Sequence, residues 1–407
     1  MSQNKKITQA VMLASGQGTR LMPLTKNTSK SMVRVNGKPF FEYVVELLRD
    51  NGIEEILFLL GYLPEQIVDY FGDGKRFGMK MRYHYGGETY GKEDEQSGFR
   101  MKKAKDMIND EFMVVYNDNY WPLKLDKLLE FHQEKNLLGT TVVYSNKDNY
   151  SKNNILLNSD GVAEIYDRSR AAPGLNGIEI GFSLMRKEVL DFMPNVAHEE
   201  NVSFEAGVLP ELVKRKELAG FFTDHRYYTI GSLERFHQAE EFLRPKKVVL
   251  LDRDGVINEK PPQADYVKNW GEFKFLPGAI EAIKLLTDNS HQIYLISNQP
   301  GIIRGKMTLE DLEDIHKNLR LELEKHGAKI DGIYTCLHNW DDGCECRKPK
   351  PGMLFQAARE NKFDLIKAIF IGDDERDASA GEAADCRTIL IDSENNLLKV
   401  VKSLIKK

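Results

Sequence analysis

Near the middle of this 407-residue chain, an apolar run ends in two acidic residues. Residues 248–251 are Val-Val-Leu-Leu, and the stretch LLDRDGVIN continues with Asp252 and Asp254. Such a run is typical of a buried strand, and parallel sheets bind ligands beyond the carboxyl ends of their strands. Two acids there can share one Mg²⁺ and one phosphoryl group, with Asp252 as the nucleophile and Asp254 as the general acid and base. The pair therefore predicts phosphoryl chemistry.

The composition excludes several classes of protein. The apolar content of 41%, the charged content of 29% and the net charge of -5 are ordinary for a soluble globular protein. No basic run indicates nucleic-acid binding, and no apolar stretch approaches the roughly 18–20 residues of a membrane span. The first residues show no secretory signal. Three of the four cysteines cluster with a histidine, which favours a reducing compartment. We expect a cytoplasmic protein whose partners include neither nucleic acid nor membrane.

Strand-like and helix-like segments alternate along the whole chain, which predicts an α/β fold with two domains. A helix-like segment over 233–242 is followed by Arg-Pro-Lys-Lys at 244–247, and proline after a helix is a stop signal. A new strand-like run begins at residue 248. We therefore predict one domain over residues 1–243, a linker over 244–247 and a second domain over 248–407.

Further polar residues of the second half follow strand-like segments. Ser297 and Asn298 come after the strand-like residues 293–296 and can hold phosphoryl oxygens. Lys348 offers an ammonium that can offset charge on a transferring phosphoryl group. Asp373 comes after the strand-like residues 368–371 and can complete a Mg²⁺ site, because Mg²⁺ prefers oxygen ligands.

The second half resembles the D,D-heptose 1,7-bisphosphate phosphatases of the haloacid dehalogenase superfamily. The resemblance covers 247–395 and rests on LLDRDGVIN, on FLPG at 275–278, on SNQPGIIRG at 297–305 and on CECRKPKPGM at 344–353. It implies a Rossmann-like parallel sheet. The implied site comprises Mg²⁺ on Asp252, the backbone carbonyl of Asp254 and Asp373; Ser297 and Lys348 on the phosphoryl group; and Arg304 and Arg347 near the substrate. Pro300 and Asp374 depart from the family pattern and leave the exact substrate open.

A cysteine and histidine cluster precedes Arg347. Cys336-x-His338 and Cys344-x-Cys346 supply three thiolates and one imidazole, a complete tetrahedral set for Zn²⁺. The resemblance implies a zinc site with this order of ligands. We predict one structural zinc ion per chain, because protein ligands fill all four positions.

The first half begins with a glycine-rich turn after a strand-like segment. Gly16 and Gly18 let the backbone approach phosphates, and Arg20 and Lys30 can pair with a triphosphate. Asp118 follows the strand-like residues 112–116 and is a candidate Mg²⁺ ligand.

This half resembles the sugar-1-phosphate nucleotidyltransferases over residues 7–243. The resemblance rests on SGQGTRLMPLT at 15–25, Ser29-Lys30, the GKP turn at 37–39, Asn117-Asp118 and TIGSLE at 229–234. It implies a Rossmann-like mixed sheet, Asp118 as a metal ligand, and release of pyrophosphate when a sugar 1-phosphate attacks a triphosphate. The predicted nucleotide-binding residues are Ser15, Gly16, Gly18, Thr19, Arg20 and Lys30.

Two departures from the transferase pattern affect its expected activity. Thr229 stands where an aspartate usually supplies a second metal ligand, and residues 91–104 differ from the usual segment. Either another carboxylate such as Asp224 replaces that ligand, or the domain binds a nucleotide sugar without making it.

The two halves together predict a bifunctional enzyme that needs Mg²⁺ in both domains. The phosphatase would leave a heptose 1-phosphate, which the transferase would join to a nucleoside triphosphate, guanylyl transfer being favoured by the resemblance. The product would feed lipopolysaccharide, capsule or S-layer glycan. Three alternatives stay open: the same chemistry on a polyol phosphate that becomes a CDP derivative, a first domain that only binds nucleotide sugar, and a first domain that serves as a scaffold for a homo-oligomer.

Overall fold

The computed structural model describes residues 6–14, 18–85, 96–192, 203–262 and 265–406. The chain divides into two compact units, Met1–Leu243 and Arg244–Lys407, each built on its own main sheet. Among the described residues, no helix has the length and apolar character needed to cross a membrane.

The first unit contains thirteen strands and six α-helices among its described residues. The strands are β1 (Gln9–Ala14), β2 (Arg34–Val35), β3 (Lys38–Pro39), β4 (Glu55–Leu60), β5 (Lys80–Tyr85), β6 (Glu111–Tyr116), β7 (Asn119–Tyr120), β8 (Gly139–Tyr144), β9 (Ile155–Leu157), β10 (Ala163–Tyr166), β11 (Ile178–Arg186), β12 (Leu218–Thr223) and β13 (Tyr228–Thr229). The helices are α1 (Phe40–Asp50), α2 (Pro64–Phe71), α3 (Ser97–Lys103), α4 (Leu125–Lys135), α5 (Phe204–Arg215) and α6 (Leu233–Leu243).

Seven of these strands form a mixed sheet in the order β12-β8-β11-β6-β1-β4-β5. β1 pairs in parallel with β4 and β6, whereas β11 runs antiparallel to both β6 and β8. β1 and most of β4 are buried, and α1 covers the sheet with an apolar stripe repeated at helical spacing. The antiparallel β11 makes this sheet mixed, which confirms the predicted class.

The second unit contains five strands and five α-helices among its described residues. These are β14 (Lys247–Leu251), α7 (Ala279–Asp288), β15 (His291–Asn298), α8 (Leu309–Lys325), β16 (Gly332–Cys336), α9 (Gly352–Asn361), β17 (Ile369–Gly372), α10 (Glu375–Ala383), β18 (Arg387–Leu390) and α11 (Leu397–Ile405).

Its strands form one parallel sheet in the order β16-β15-β14-β17-β18, with β14 at the centre. Side chains alternate across β14, so Val249 and Leu251 join one apolar cluster while Val248 and Leu250 join another. Helices α7, α8 and α11 contribute to the first cluster, and α9 and α10 to the second. Burial on both faces explains the unbroken apolar run. The carboxyl ends of β14, β15 and β17 therefore meet at one edge, which confirms the predicted parallel fold.

Candidate functional site

A cavity of about 690 Å³ opens at the carboxyl edge of the second sheet. Its walls include Asp252, Ser297, Lys348 and Asp373, which lie far apart in the chain. Asp252 directly follows β14, Ser297 is near the end of β15, and Asp373 directly follows β17. The strand order thus gathers the polar residues that follow the strands, as expected for a parallel sheet.

Lys348 is the buried cation of this cavity, with only 3% of its surface exposed. Its Nζ lies 2.9 Å from Asp252 Oδ1 and 2.6 Å from Asp377 Oδ1, and it donates to the carbonyl of Ile296 at 2.9 Å. Paired charges of this kind can stay ionised away from water, because each compensates the other. The ammonium therefore holds Asp252 in a fixed position facing the cavity.

Burial raises the pKa of Asp252 to about 7, and the carboxylates of Asp377 and Asp254 raise it further, while Lys348 opposes this shift. A carboxyl in such a position binds a proton more tightly than it does in water. Positive charge placed near it favours the ionised, nucleophilic form.

Three carboxylates form a candidate metal centre at the same edge. Ligand oxygens of Asp252, Asp373 and Asp377 lie within 4.8 Å of one another. Asp373 Oδ1 is buried and accepts no hydrogen bond from the described residues. Gly255 has a φ of +89°, and a Cβ there would lie 2.2 Å from Asp373 Oδ2, so glycine keeps the place open. An oxygen-only donor set with an unsatisfied buried oxygen fits Mg²⁺.

Asp254 is oriented by three side-chain donors. Its carboxylate accepts hydrogen bonds from Arg253, from Asn258 Nδ2 at 2.8 Å and from Gln299 Nε2 at 2.9 Å. The Arg253 side chain lies in the buried interior. Asp254 is therefore held at the cavity wall and cannot turn away.

The two polar residues at the end of β15 have different surroundings. Ser297 Oγ is buried and accepts from Gln299 Nε2 at 2.8 Å, so its own proton can point at a ligand. Asn298 donates to the Lys348 carbonyl at 3.0 Å and accepts from the Lys348 amide at 3.1 Å. Both ends of the Asn298 amide thus hold the Lys348 backbone, which is a positioning role; the expected substrate contact stays a prediction.

Arg304 and Arg347 lie on the cavity wall that is formed with the cysteine loop. Arg304 donates twice to Asn339 Oδ1 and once to the hydroxyl of Tyr266, at 2.7–2.9 Å. Arg347 donates to the carbonyl of His338 at 3.3 Å. In these contacts, both guanidinium groups meet neutral acceptors.

The cysteine and histidine ligands predicted from sequence come together. Cys336 Sγ lies 3.8 Å from Cys344 Sγ and 3.3 Å from Cys346 Sγ, and His338 Nδ1 lies 3.2 Å from Cys346 Sγ. A tetrahedral zinc ion with bonds of about 2.3 Å to sulfur places its ligands about 3.5–3.8 Å apart. Burial and the neighbouring thiols raise the pKa of Cys346 to about 12, and a bound cation favours the thiolate instead. The fourth cysteine, Cys386, is buried elsewhere and donates towards the Ala368 carbonyl.

In the first unit, the structure brings Lys30 and Asp118 together as an ion pair. Gly18 has a φ of +70° and packs on the stem of Lys30, where an added Cβ would lie 2.8 Å from Lys30 Cβ. Thr19 and Arg20 are exposed on the short 3₁₀ turn that follows. The other predicted nucleotide-binding residues, Ser15 and Gly16, lie outside the described residues.

The alternative metal ligand, Asp224, has other partners. Its carboxylate accepts from the Ser145 hydroxyl and pairs with Lys147 Nζ at 2.9 Å. Thr229 pairs with Asn119 in the two-stranded sheet of β13 and β7, so it does lie beside the segment that carries Asp118. Of the divergent segment 91–104, residues 97–103 form helix α3, and 91–95 lie outside the described residues.

Two residues of the phosphatase site were missed by sequence reasoning. Asp377 follows Asp373 by four residues, one helical turn, and this spacing on a helix after a strand was a usable signal. Its Oδ2 accepts from the backbone N–H groups of Asp373 and Asp374 at the start of α10. Gln299 carried no such signal, because its contact with Asp254 joins residues 45 positions apart.

Two family models match the chain. Residues 9–246 match the model described as Nucleotidyl transferase, which covers well over half of the chain. Residues 345–403 match a model described as HAD-hydrolase-like.

Known proteins show the same division. The chain is similar to the D-glycero-beta-D-manno-heptose-1,7-bisphosphate 7-phosphatase of Pseudomonas aeruginosa, at 38% identity over 159 residues, which is 39% of this chain and 88% of that enzyme. The D-glycero-alpha-D-manno-heptose-1,7-bisphosphate 7-phosphatase of Mycobacterium tuberculosis is 36% identical over 149 residues, 35% of this chain and 78% of that enzyme. A solved structure assigned as a Bacillus anthracis glucose-1-phosphate thymidylyltransferase shares the fold of 58% of this chain and 95% of its own, with a TM-score of 0.50 and 18% identity.

Proposed function

This chain is an enzyme that belongs to the nucleotidyl transferase family over residues 9–246 and, in its second unit, to the D-glycero-D-manno-heptose-1,7-bisphosphate 7-phosphatase family, and we propose that it carries out two consecutive steps of nucleotide-sugar synthesis. The second unit removes one phosphate from a heptose 1,7-bisphosphate. The first unit joins the remaining sugar 1-phosphate to a nucleoside triphosphate. The observation that carries the proposal is the cavity in which Asp252, Lys348 and Asp254 converge.

In the first chemical step, Asp252 attacks the phosphorus of the 7-phosphate. Oδ1 of this carboxylate already accepts from the Arg253 amide at 2.7 Å and from Lys348, so we assign Oδ2 as the attacking oxygen. Asp254 gives its proton to the departing sugar oxygen, and an aspartyl phosphate remains on Asp252. Ser297 donates its hydroxyl proton to a phosphoryl oxygen and keeps the group in line.

In the second step, water replaces Asp252 on phosphorus. Asp254, now ionised, removes a proton from that water, and inorganic phosphate leaves. Gln299 and Asn258 hold the Asp254 carboxylate in place through both steps.

The carboxylates beside Asp252 would hold Mg²⁺. Asp377 already bonds Lys348 and two backbone N–H groups, so we assign Asp252 and Asp373 as carboxylate ligands, with Asp377 positioning them. The sequence resemblance adds the backbone carbonyl of Asp254 to this set. Bound Mg²⁺ would supply positive charge that offsets the negative charge on the phosphoryl oxygens.

The charges of the cavity support a substrate with a second phosphate. Lys348 pairs with Asp252 and Asp377, while Lys260 and Arg376 pair with Asp374. Arg304 and Arg347 remain with neutral partners, and they lie together on the side of the cysteine loop. Two guanidinium groups without a carboxylate partner favour a second anionic group on the substrate.

We expect Arg304→Gln to lower kcat/KM for heptose 1,7-bisphosphate by about tenfold or more, since a charge-assisted hydrogen bond contributes about 1.5–3 kcal/mol. The loss on a sugar monophosphate should be much smaller. Initial rates of phosphate release on both substrates measure this. Arg387→Gln, an exposed arginine on β18, serves as the control. Equal losses on both substrates contradict a role in binding the second phosphate.

We propose that the cysteine cluster holds a structural Zn²⁺ that shapes the loop beside Arg347. Freshly purified, reduced protein should contain one zinc ion per chain by elemental analysis. Cys344→Ser should lose most of it, because three ligands bind zinc much less tightly than four. Cys386→Ser should retain it, since Cys386 lies away from the cluster. Metal-free wild-type protein with intact phosphatase activity would rule the site out.

In the first unit, Lys30 and Arg20 would bind the triphosphate, and Asp118 would hold Mg²⁺. The ion pair between Lys30 and Asp118 supports this, because it places a cation for phosphate beside a carboxylate for metal. The sugar 1-phosphate oxygen attacks the α-phosphorus and pyrophosphate leaves. Catalysis here consists mainly of positioning and charge neutralisation.

We expect pyrophosphate release when the full chain is given heptose 1-phosphate and its preferred triphosphate. Each of the four triphosphates and both anomers should be tried, since similar phosphatases are named for the α and for the β anomer. Lys30→Ala should lower kcat/KM by about 100-fold, because it removes a charge contact to the transferring group. Lys26→Ala, on the exposed part of the same loop, is the control.

A first unit that binds nucleotide sugar without making it is the second candidate. Thr229 and the engagement of Asp224 with Ser145 and Lys147 favour it, because they leave Asp118 without the usual second carboxylate. Tight binding of a nucleotide sugar, with no pyrophosphate from any triphosphate, would support this candidate over transfer.

A further inference from the structure

An exposed tryptophan stands on the loop between the zinc ligands His338 and Cys344. Trp340 keeps 71% of its surface exposed, although a large aromatic ring of a soluble protein is usually mostly buried. It nevertheless contributes to the wall of the phosphatase cavity. A water-exposed indole on a cavity wall is unfavourable unless something else covers it.

One face of the Trp340 ring is covered by Arg304. The guanidinium carbon of Arg304 lies 3.8 Å from the ring centroid, the geometry of a cation–π contact. Arg304 is itself fixed, because three of its N–H groups donate to Asn339 and Tyr266. A guanidinium has five N–H groups, so two are left over, one on each terminal nitrogen. Ring and guanidinium therefore form one stacked unit, with the second ring face open.

The backbone on both sides of Trp340 is held in place. The Asn339 amide donates to Asp342 Oδ2 at 2.7 Å, and Lys350 donates to the Gly343 carbonyl at 3.2 Å. Gly343 has a φ of +66°, which the tight turn before Cys344 requires. The ring is thus presented by a constrained turn, and the zinc ligands on either side fix that turn relative to Asp252.

We propose that Trp340 is a specificity-determining residue of the phosphatase site. Its open face packs on the carbon–hydrogen face of the substrate sugar, while the remaining N–H groups of Arg304 bind the second phosphate. A phosphate ester that lacks the sugar gains nothing from this pair. The zinc loop therefore acts as a recognition element for carbohydrate. This inference rests on the proposed action on a heptose bisphosphate.

The test compares Trp340→Ala, Trp340→Phe and wild type as full chains, with heptose 1,7-bisphosphate and acetyl phosphate as substrates. In Trp340→Ala, the ratio of kcat/KM for the bisphosphate to that for acetyl phosphate should fall about tenfold, mainly through a higher KM for the bisphosphate. Trp340→Phe should recover most of the ratio, because it keeps an aromatic face. The control is Leu321→Ala, an exposed apolar residue on α8 that does not line the cavity, and it should leave the ratio unchanged.

A binding measurement separates recognition from a general effect on the loop. In Asp252→Asn protein, heptose 1,7-bisphosphate should quench tryptophan fluorescence, and the quench should vanish when Trp340→Phe is added. An unchanged ratio in Trp340→Ala, or a quench that survives Trp340→Phe, would overturn the inference while leaving the phosphatase proposal in place. Wild-type protein that hydrolyses acetyl phosphate but no sugar bisphosphate would overturn both.

Discussion

Asp252→Asn should reduce phosphate release from heptose 1,7-bisphosphate by at least about 10³-fold, because it removes the nucleophile on which both chemical steps depend. The substitution keeps the shape of the side chain. Its remaining oxygen can still accept from the Arg253 amide and from Lys348, as Oδ1 does now at 2.7 and 2.9 Å. The protein should therefore stay folded while phosphate release stops.

The control for this loss is Asp288→Asn, at the exposed end of α7, where the carboxylate pairs only with Lys284. It should hydrolyse the bisphosphate at the wild-type rate. Rapid acid quenching with phosphorus-labelled substrate should trap a covalent phosphoenzyme in wild type and none in Asp252→Asn. Residual turnover above about one-hundredth of wild type, with no metal-dependent change, would contradict nucleophilic catalysis by Asp252.

Lys348→Met should destabilise the second unit by about 3–5 kcal/mol, the usual consequence of removing one partner from a buried ion pair. The ammonium is 3% exposed and lies between Asp252 and Asp377, so its loss leaves two carboxylates facing each other without a cation. Phosphatase activity should fall with it, because charge on the transferring group is no longer offset. Hydrogen exchange of the β14 and β15 amides reports the stability of this unit alone.

The matched control is Lys350→Met, two residues along the same segment. Lys350 pairs with Glu345 on the surface, and an exposed ion pair contributes at most about 1 kcal/mol. If Lys348→Met and Lys350→Met lower the stability of β14 and β15 equally, the buried triad does not stabilise the site in the way its geometry indicates.

The destabilisation by Lys348→Met should depend on pH in a defined direction. Burial gives Asp252 a folded-state pKa of about 7, above the unfolded value of about 3.9, and Lys348 is the group that holds this pKa down. Without Lys348 the folded protein binds this proton more tightly than the unfolded chain does, so stability is retained at low pH and lost as pH rises. In magnesium-free buffer, the deficit of the variant should be larger at pH 8 than at pH 5.

Much of the phosphatase site could be read from local sequence. An apolar run of strand length followed by a polar residue occurs at β14, β15 and β17, and in a parallel sheet these ends must share one edge. The spacing of the four zinc ligands likewise determines a compact loop, because each pair is separated by a single residue. Asp252, Lys348 and the cysteine cluster were predictable for these reasons.

The tertiary structure alone decided how these side chains are held. Gln299 meets Asp254 across 45 residues, Asn298 meets Lys348 across 50, and Arg304 lies on Trp340. Such pairs depend on which strands are neighbours and on where each loop crosses the edge, and neither follows from local pattern. The same holds for Asp224, whose partners Ser145 and Lys147 exclude a role that residue type alone permits.

The LLDRDGVIN stretch by itself determined the chemistry of this protein, since a carboxylate pair at a buried strand end has few other uses. Which groups support that pair was decided by the order β16-β15-β14-β17-β18. Because β14 is central, β15 brings Ser297 and Gln299 to one side of Asp252, and β17 brings Asp373 and the start of α10 to the other. Side-chain chemistry is local and readable along the chain, whereas its surroundings arise from packing between distant segments.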